Sequence, residues 1–156
     1  MRARITLVAI PLALLSLSAC GGADKEKETG GASSSGKGSA RTSVEVADSG
    51  LGDILVDQDG RTLYAFTKDK AGAGSCDADC IAVWPALTST AAATAGPGTD
   101  RALLGEARNA GGAVQATYGD WPLYYYVGDA APGDVNGQGL DGEWFVVKAD
   151  GKMIKE

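Results

Sequence analysis

Apolar and polar residues alternate along this chain in short bursts with the period of strands. Ser43-Val44-Glu45-Val46 alternates, Ile54-Leu55-Val56 is a brief apolar run, and Thr62–Phe66 is rich in β-branched and aromatic residues. Asp57-Gln58-Asp59-Gly60 is turn chemistry, so 54–57 and 62–66 are predicted to form a hairpin. The arrangement returns as Val114–Tyr118 and Pro122–Val127 around Gly119-Asp120, with Pro122 opening its strand, where proline is tolerated. Leu103–Arg108 reads as a strand leading through Gly111-Gly112, and Glu143–Val147 is the clearest strand of all. One helical turn is expected: Asp77 caps it, and Pro85 requires it to stop beforehand. Thr88–Asp100 reads as a loose connector, Ala130–Gly142 as a long glycine-rich loop, and Met153–Glu156 as a short tail.

Over part of this pattern the residues themselves repeat. Leu63-Tyr64-Ala65-Phe66-Thr67-Lys68-Asp69 returns without a gap as Leu123-Tyr124-Tyr125-Tyr126-Val127-Gly128-Asp129, 60 positions later. The same offset joins Gly52 to Gly112 and Trp84 to Trp144. Six positions are identical between 51–87 and 111–147, and they include most of the aromatic anchors. The expected fold is therefore mainly β, a single small domain over 44–156. It is built from two similar hairpin-containing repeats (about 51–87 and 111–147) with one short helical turn. Strand alternation sets Tyr64 and Phe66 against Leu63 and Ala65, and Tyr124 and Tyr126 against Leu123 and Tyr125. One face should be buried and the other at least partly exposed. Leu63 and Leu123 belong in the core, the paired aromatics at the seam between halves with each hydroxyl on a polar partner, and Tyr125 in solvent.

The chain's first residues are not part of that domain. Arg2 and Arg4, the apolar run Ile5–Leu15 and the small residues before Cys20 describe a secretory signal over 1–19, too short to remain as a spanning helix. Leu17-Ser18-Ala19-Cys20 resembles a bacterial lipobox, which implies cleavage before Cys20, lipid on that residue and a stable membrane anchor. Residues 20–43 are then a lipidated cysteine and a Gly/Ser-rich charged tether with nothing to build a core. As a flexible coil, its 23 residues from Gly21 to Ser43 would span about 26 Å. Without Arg2 and Arg4 the chain has 12 basic and 20 acidic residues. So acidic a surface repels phosphate backbones, and nucleic acid is not expected as a partner.

There is no histidine, the side chain that most often serves as general base or metal ligand near neutral pH. No catalytic constellation is recognisable, so the chain reads as a non-enzyme without cofactor or metal. Cys76 and Cys80 are the only thiols besides Cys20; outside the cytoplasm they should form a disulfide. A redox-active pair and part of a metal site are the alternatives. Helical geometry holds residues four apart too far from each other for a relaxed bridge, so it must distort the turn or start before the helix. Asp69 and Asp129 just past their strands are expected to pin loops by accepting backbone amides. Their alternative uses are as ligand contacts or as a hydrolytic carboxylate pair. Asp134-Val135-Asn136-Gly137-Gln138-Gly139-Leu140-Asp141-Gly142-Glu143 resembles part of a calcium loop, but Phe145 stands where that loop needs its last glutamate.

The Tyr64-x-Phe66-x-x-Asp69 and Tyr124-x-Tyr126-x-x-Asp129 signatures resemble a family of secreted-repeat bacterial lipoproteins whose hallmark is Tyr-x-(Phe/Trp/Tyr)-x-x-Asp. Gly60–Tyr64, the Cys76–Cys80 pair, Trp84–Leu87, Trp121–Tyr126 and the 133–139 run fit as well, covering about Gly52 to Gly151. Pro85-Ala86 and Gly119-Asp120 depart from it. The resemblance implies location and architecture rather than an activity. The expected protein is a lipid-anchored, non-catalytic envelope component facing outside the cytoplasm, structural or binding a ligand or partner. An accessory role in extracytoplasmic redox or metal handling through Cys76–Cys80 is the alternative.

Overall fold

The computed structural model describes residues 42–69 and 72–155. The signal segment, Cys20 and the tether up to residue 41 lie outside the described residues. β1 (Ser43–Ser49) and β2 (Gly52–Asp57) form an antiparallel hairpin. β3 (Tyr64–Phe66) follows, then helix α1 (Ala78–Val83) and β4 (Thr94–Ala95), which lies parallel to β1. β5 (Leu104–Arg108), β6 (Val114–Tyr118) and β7 (Trp121–Pro122) form an antiparallel sheet, and β8 (Trp144–Val146) pairs with β3. The mainly β fold with one short helix is as expected.

The repeats do not stand side by side. Each inserts its tryptophan segment into the other. β3 of the first repeat pairs with β8 of the second, Tyr64 opposite Val146 and Phe66 opposite Trp144. The equivalent segments are joined the other way round: Tyr124 bridges Ala86, the Tyr125 amide donates to the Pro85 carbonyl, and the Val127 amide to the Val83 carbonyl. Where strands diverge, both halves close the same triangle of backbone bonds. Leu55 donates to Val147, Val147 to Leu63 and Leu63 to Leu55; Ala116, Leu87 and Leu123 repeat it. The two copies meet at the motif tyrosines, whose amides and carbonyls exchange two bonds of 2.9 Å.

The gapless offset is the sum of two opposite slips. Thr62 and Pro122 stand 60 apart, whereas their partners Val56 and Thr117 stand 61 apart. The β1–β2 turn holds only Gly50 and Leu51, but Asn109 closes on Ala113 around three residues. The next turn compensates. Asp57 to Arg61 encloses three residues, while Tyr118 pairs with Trp121 across Gly119 and Asp120, both with positive φ (56° and 69°). Two positive φ values make the type I′ turn that matches strand twist in a two-residue hairpin.

Both faces of the central ladder are buried. Leu63, Ala65, Leu87, Leu123 and Val147 pack with Val44, Leu55, Ala116 and Tyr118 on one side. Tyr64, Phe66, Trp84, Tyr124, Trp144 and Val146 pack with Ile54, Val56 and Cys76 on the other. The expectation of a partly exposed face is thus corrected: β1, β2 and β6 cover the leucine side, and Ile54, Val56 and Cys76 pack against the aromatic side. Two boundaries also move. Thr42 is buried and its carbonyl accepts the Thr94 amide, so the domain includes the tether's last residues. The connector 88–100 is not loose throughout, because Thr94–Ala95 adds an edge to β1.

Candidate functional site

The signature residues converge on the seam, and each copy completes the other. The Tyr64 hydroxyl donates to Asp129 Oδ2 at 2.7 Å, and the Tyr124 hydroxyl to Asp69 Oδ2 at 2.8 Å. Each carboxylate's second oxygen pins its own loop: Asp69 Oδ1 accepts from the Ser75 amide and hydroxyl, and Asp129 Oδ1 from the Asn136 amide. The loop-pinning expected of both aspartates is therefore present, together with a cross-repeat bond that sequence spacing alone does not indicate. With their oxygens accepting from tyrosine and loop donors, the carboxylates lack the free geometry of a hydrolytic pair.

The rings obey the same exchange. Trp84 and Trp144 stack at 3.9 Å, almost parallel at 2°. Tyr126 stacks on Trp84 at 4.5 Å and Phe66 on Trp144 at 4.2 Å, each ring lying on the other repeat's tryptophan. Tyr64 meets Trp84 edge-on at 5.4 Å and Tyr124 meets Trp144 at 5.3 Å. Stacked and edge-to-face pairs each add roughly 0.5–1.5 kcal/mol beyond area burial, so this cluster anchors the fold. Gly137 is held against it: a Cβ there would lie 2.7 Å from Trp84 Cη2 and 2.9 Å from Tyr64 Cε1.

Burial in this apolar seam pushes the Tyr64 and Tyr124 phenols well above their ordinary value, because a phenolate there would be desolvated and faced by a carboxylate. Desolvation also raises Asp129, against the lowering effect of its donors Tyr64 and Asn136.

Cys76 and Cys80 are joined as a disulfide, with Cα atoms 5.3 Å apart. Cys76 precedes the helix and Cys80 lies in its first turn, where its amide donates to the N-cap carboxylate of Asp77. The bridge starts before the helix, one of the two arrangements that spacing required. In the calcium-like loop Asp134 Oδ2 accepts from the Ala130 and Ala131 amides, Gln138 donates to the Ile154 carbonyl and accepts from the Val146 amide, and Glu143 pairs with Lys68. Among the described residues no cluster of three acidic, cysteine or histidine side chains is placed to hold a metal ion.

In a duplicated fold, a feature present in one half only is not required by the architecture that both halves share. The residues around Arg61 are not repeated. Asp57, its side chain fully buried, accepts from the Asp59 and Arg61 amides, from Arg61 Nε and Nη2 and from the Tyr125 hydroxyl. The Arg61 guanidinium lies 4.1 Å above the Tyr125 ring, with about half its side chain exposed. Beside it opens a cavity of about 230 Å³ walled by Pro85, Tyr125, Tyr126 and Val127, with Thr62 and Asp129 at its polar edge. At the offset of 60, Trp121 stands for Arg61 and Ala65 for Tyr125. Tyr125 is accordingly half-buried and hydrogen-bonded rather than solvent-facing as expected. Asp57 and Arg61 were not singled out from sequence; their signal was an acidic and a basic residue four apart across a turn.

The profile of a family described as a secreted repeat of unknown function matches residues 45–88 and again 107–148. No curated protein and no solved structure matches the chain.

Proposed function

The chain belongs to this family of secreted repeats, and from that premise we propose that it is a lipid-anchored, non-catalytic binding module of the cell envelope. Lipid on Cys20 holds it at the membrane, the tether gives it reach, and the duplicated body presents the Arg61–Tyr125 cavity. The observation that carries this reading is the cluster of Arg61 and Tyr125 on buried Asp57 beside the cavity, at positions where the other repeat has Trp121 in place of Arg61 and Ala65 in place of Tyr125. Architecture accounts for the paired tyrosines, aspartates and tryptophans but not for Arg61, Asp57 and Tyr125. The cavity suits a small polar ligand with one apolar face, as a saccharide ring has. Ring and proline walls cover that face, and Arg61 and Asp129 meet its hydroxyls.

Two measurements test it. The full chain expressed in a bacterium should sediment with membranes and be labelled by palmitate, and Cys20→Ala should release it unlabelled. Soluble envelope saccharides titrated into isotope-labelled protein should shift the resonances of Tyr126 and Val127, and Val127→Asp should remove the shifts. Unlabelled wild-type protein defeats the anchor; a saccharide panel that leaves those resonances unmoved defeats the binding role.

The redox alternative keeps one supporting observation. The disulfide is likewise unpaired, since Asn136 and Leu140 stand where Cys76 and Cys80 would repeat. A reduction potential below the range of labile disulfides removes that reading.

A further inference from the structure

Oxidising a phenol by one electron makes its proton strongly acidic, so a buried tyrosine gives up an electron readily only where a base waits on its hydroxyl. Both signature tyrosines have one. Tyr64 points its hydroxyl at the Asp129 carboxylate at 2.7 Å, and Tyr124 at that of Asp69 at 2.8 Å. Each ring also touches an indole edge-on, Tyr64 on Trp84 at 5.4 Å and Tyr124 on Trp144 at 5.3 Å. The indoles themselves stack at 3.9 Å. Tyrosine and tryptophan are the most easily oxidised aromatic side chains, and at such separations they exchange electrons directly. The outer ring on Trp84 is Tyr126, which is half-buried, whereas the outer ring on Trp144 is Phe66, which is nearly covered and does not oxidise readily. The stack therefore meets solvent at one oxidisable end.

We propose that this aromatic seam is a proton-coupled sink for one-electron radical oxidants that diffuse outside the cytoplasm. A radical removes one electron from the stack at its Tyr126–Trp84 end and leaves as its reduced anion. The indole radical cation then takes an electron from Tyr64 while the Tyr64 proton crosses its hydrogen bond. The products are neutral Trp84, a neutral Tyr64 phenoxyl radical and protonated Asp129. Through Trp144, the same exchange involves Tyr124 and Asp69. A diffusing one-electron reductant restores the seam by supplying an electron to the phenoxyl radical as the aspartic acid returns its proton. The proposal is independent of the binding reading, because it uses no ligand in the Arg61 cavity.

The probe is the azide radical, generated by pulse radiolysis on the folded protein and followed by transient absorption of the indole and phenoxyl radicals. The expected result is conversion of indole to phenoxyl radical in a first-order phase whose rate does not depend on protein concentration. That phase should slow in heavy water and as acid protonates the carboxylates. In the Asp69→Asn, Asp129→Asn double variant it should slow roughly a hundredfold, the low end of what a positioned base contributes. Asparagine still accepts the hydroxyl but not the proton. Should the variant not fold, the heavy-water and acid measurements on the wild-type chain decide alone. A conversion that is second-order, insensitive to deuterium and acid, or unchanged by the two asparagines overturns the proposal.

Discussion

Tyr64 and Tyr124 are core residues with a polar end, and the aspartate across the seam is what lets them be buried. A hydrogen bond to a charged acceptor contributes roughly 1.5–3 kcal/mol, and losing the donor strands a carboxylate in a poorly solvated place. Tyr64→Phe and Tyr124→Phe are therefore each expected to lower unfolding free energy by about 2 kcal/mol in urea titration, and by similar amounts because the sites are equivalent. The phenols also set an alkaline limit. Burial raises the pKa values of Tyr64, Tyr124 and Tyr125 in the fold above their ordinary 10.0. Neutral forms are favoured by folding, so this stability is complete below pH 10 and is lost as pH rises through the folded values. Phenolate absorbance from these three tyrosines should appear in one cooperative step with loss of near-ultraviolet circular dichroism; gradual titration in an intact fold would contradict their burial. Asp129 has the same sign at the acid end: its raised value means that its ionisation, as pH rises through that value, opposes folding.

The turns, the helix stop before Pro85 and the two-faced strands were legible in the sequence because each is local, fixed by turn residues, by proline and by a period of two. The hairpins expected of 54–57 with 62–66 and of 114–118 with 122–127 are corrected: each pairs only next to its turn, at Val56–Thr62 and at Thr117–Pro122, before Tyr64–Phe66 and Tyr124 leave for partners in the other repeat. The exchange of β8 and the 84–88 segment was not, since a strand carries no mark of which neighbour it will pair with. The slip of β6 was hidden as well, because a longer turn before it and a shorter one after it restore the offset. For the candidate site, signature residues were visible as a repeat, but their cross-repeat bonds depend on that exchange. The Arg61 cavity was invisible because Tyr125 reaches Asp57 from 68 residues away. At this scale the disulfide closes a short loop that Asp69 and the Asp77 cap also hold. The Cys76→Ser, Cys80→Ser double variant should keep its fold and lose only roughly 2 kcal/mol of stability by thermal unfolding. Gly137→Ala forces a methyl against Trp84 and Tyr64. It should cost about 1–3 kcal/mol in the same assay, with loss of near-ultraviolet signal from the stacked indoles.

As a whole, the described body is two incomplete halves that become one domain by trading their tryptophan segments. Backbone bonds, Tyr–Asp pairs and ring stacks all cross the seam, so neither repeat closes a core alone. This accounts for signature residues that lie along the seam: Tyr64, Asp69, Tyr124 and Asp129 each bond the partner repeat, whereas Arg61 has Trp121 at the equivalent position. The exposed Arg101–Ala102 turn between the halves offers a place to cut without removing a partner of either seam. The most direct measurement separates the chain there into 42–101 and 102–156 and follows each fragment, then their mixture, by near-ultraviolet circular dichroism and sedimentation. Reciprocal exchange predicts that each fragment alone shows no cooperative unfolding and that mixing yields a one-to-one complex with the intact protein's spectrum. A fragment that unfolds cooperatively by itself as a monomer would contradict it.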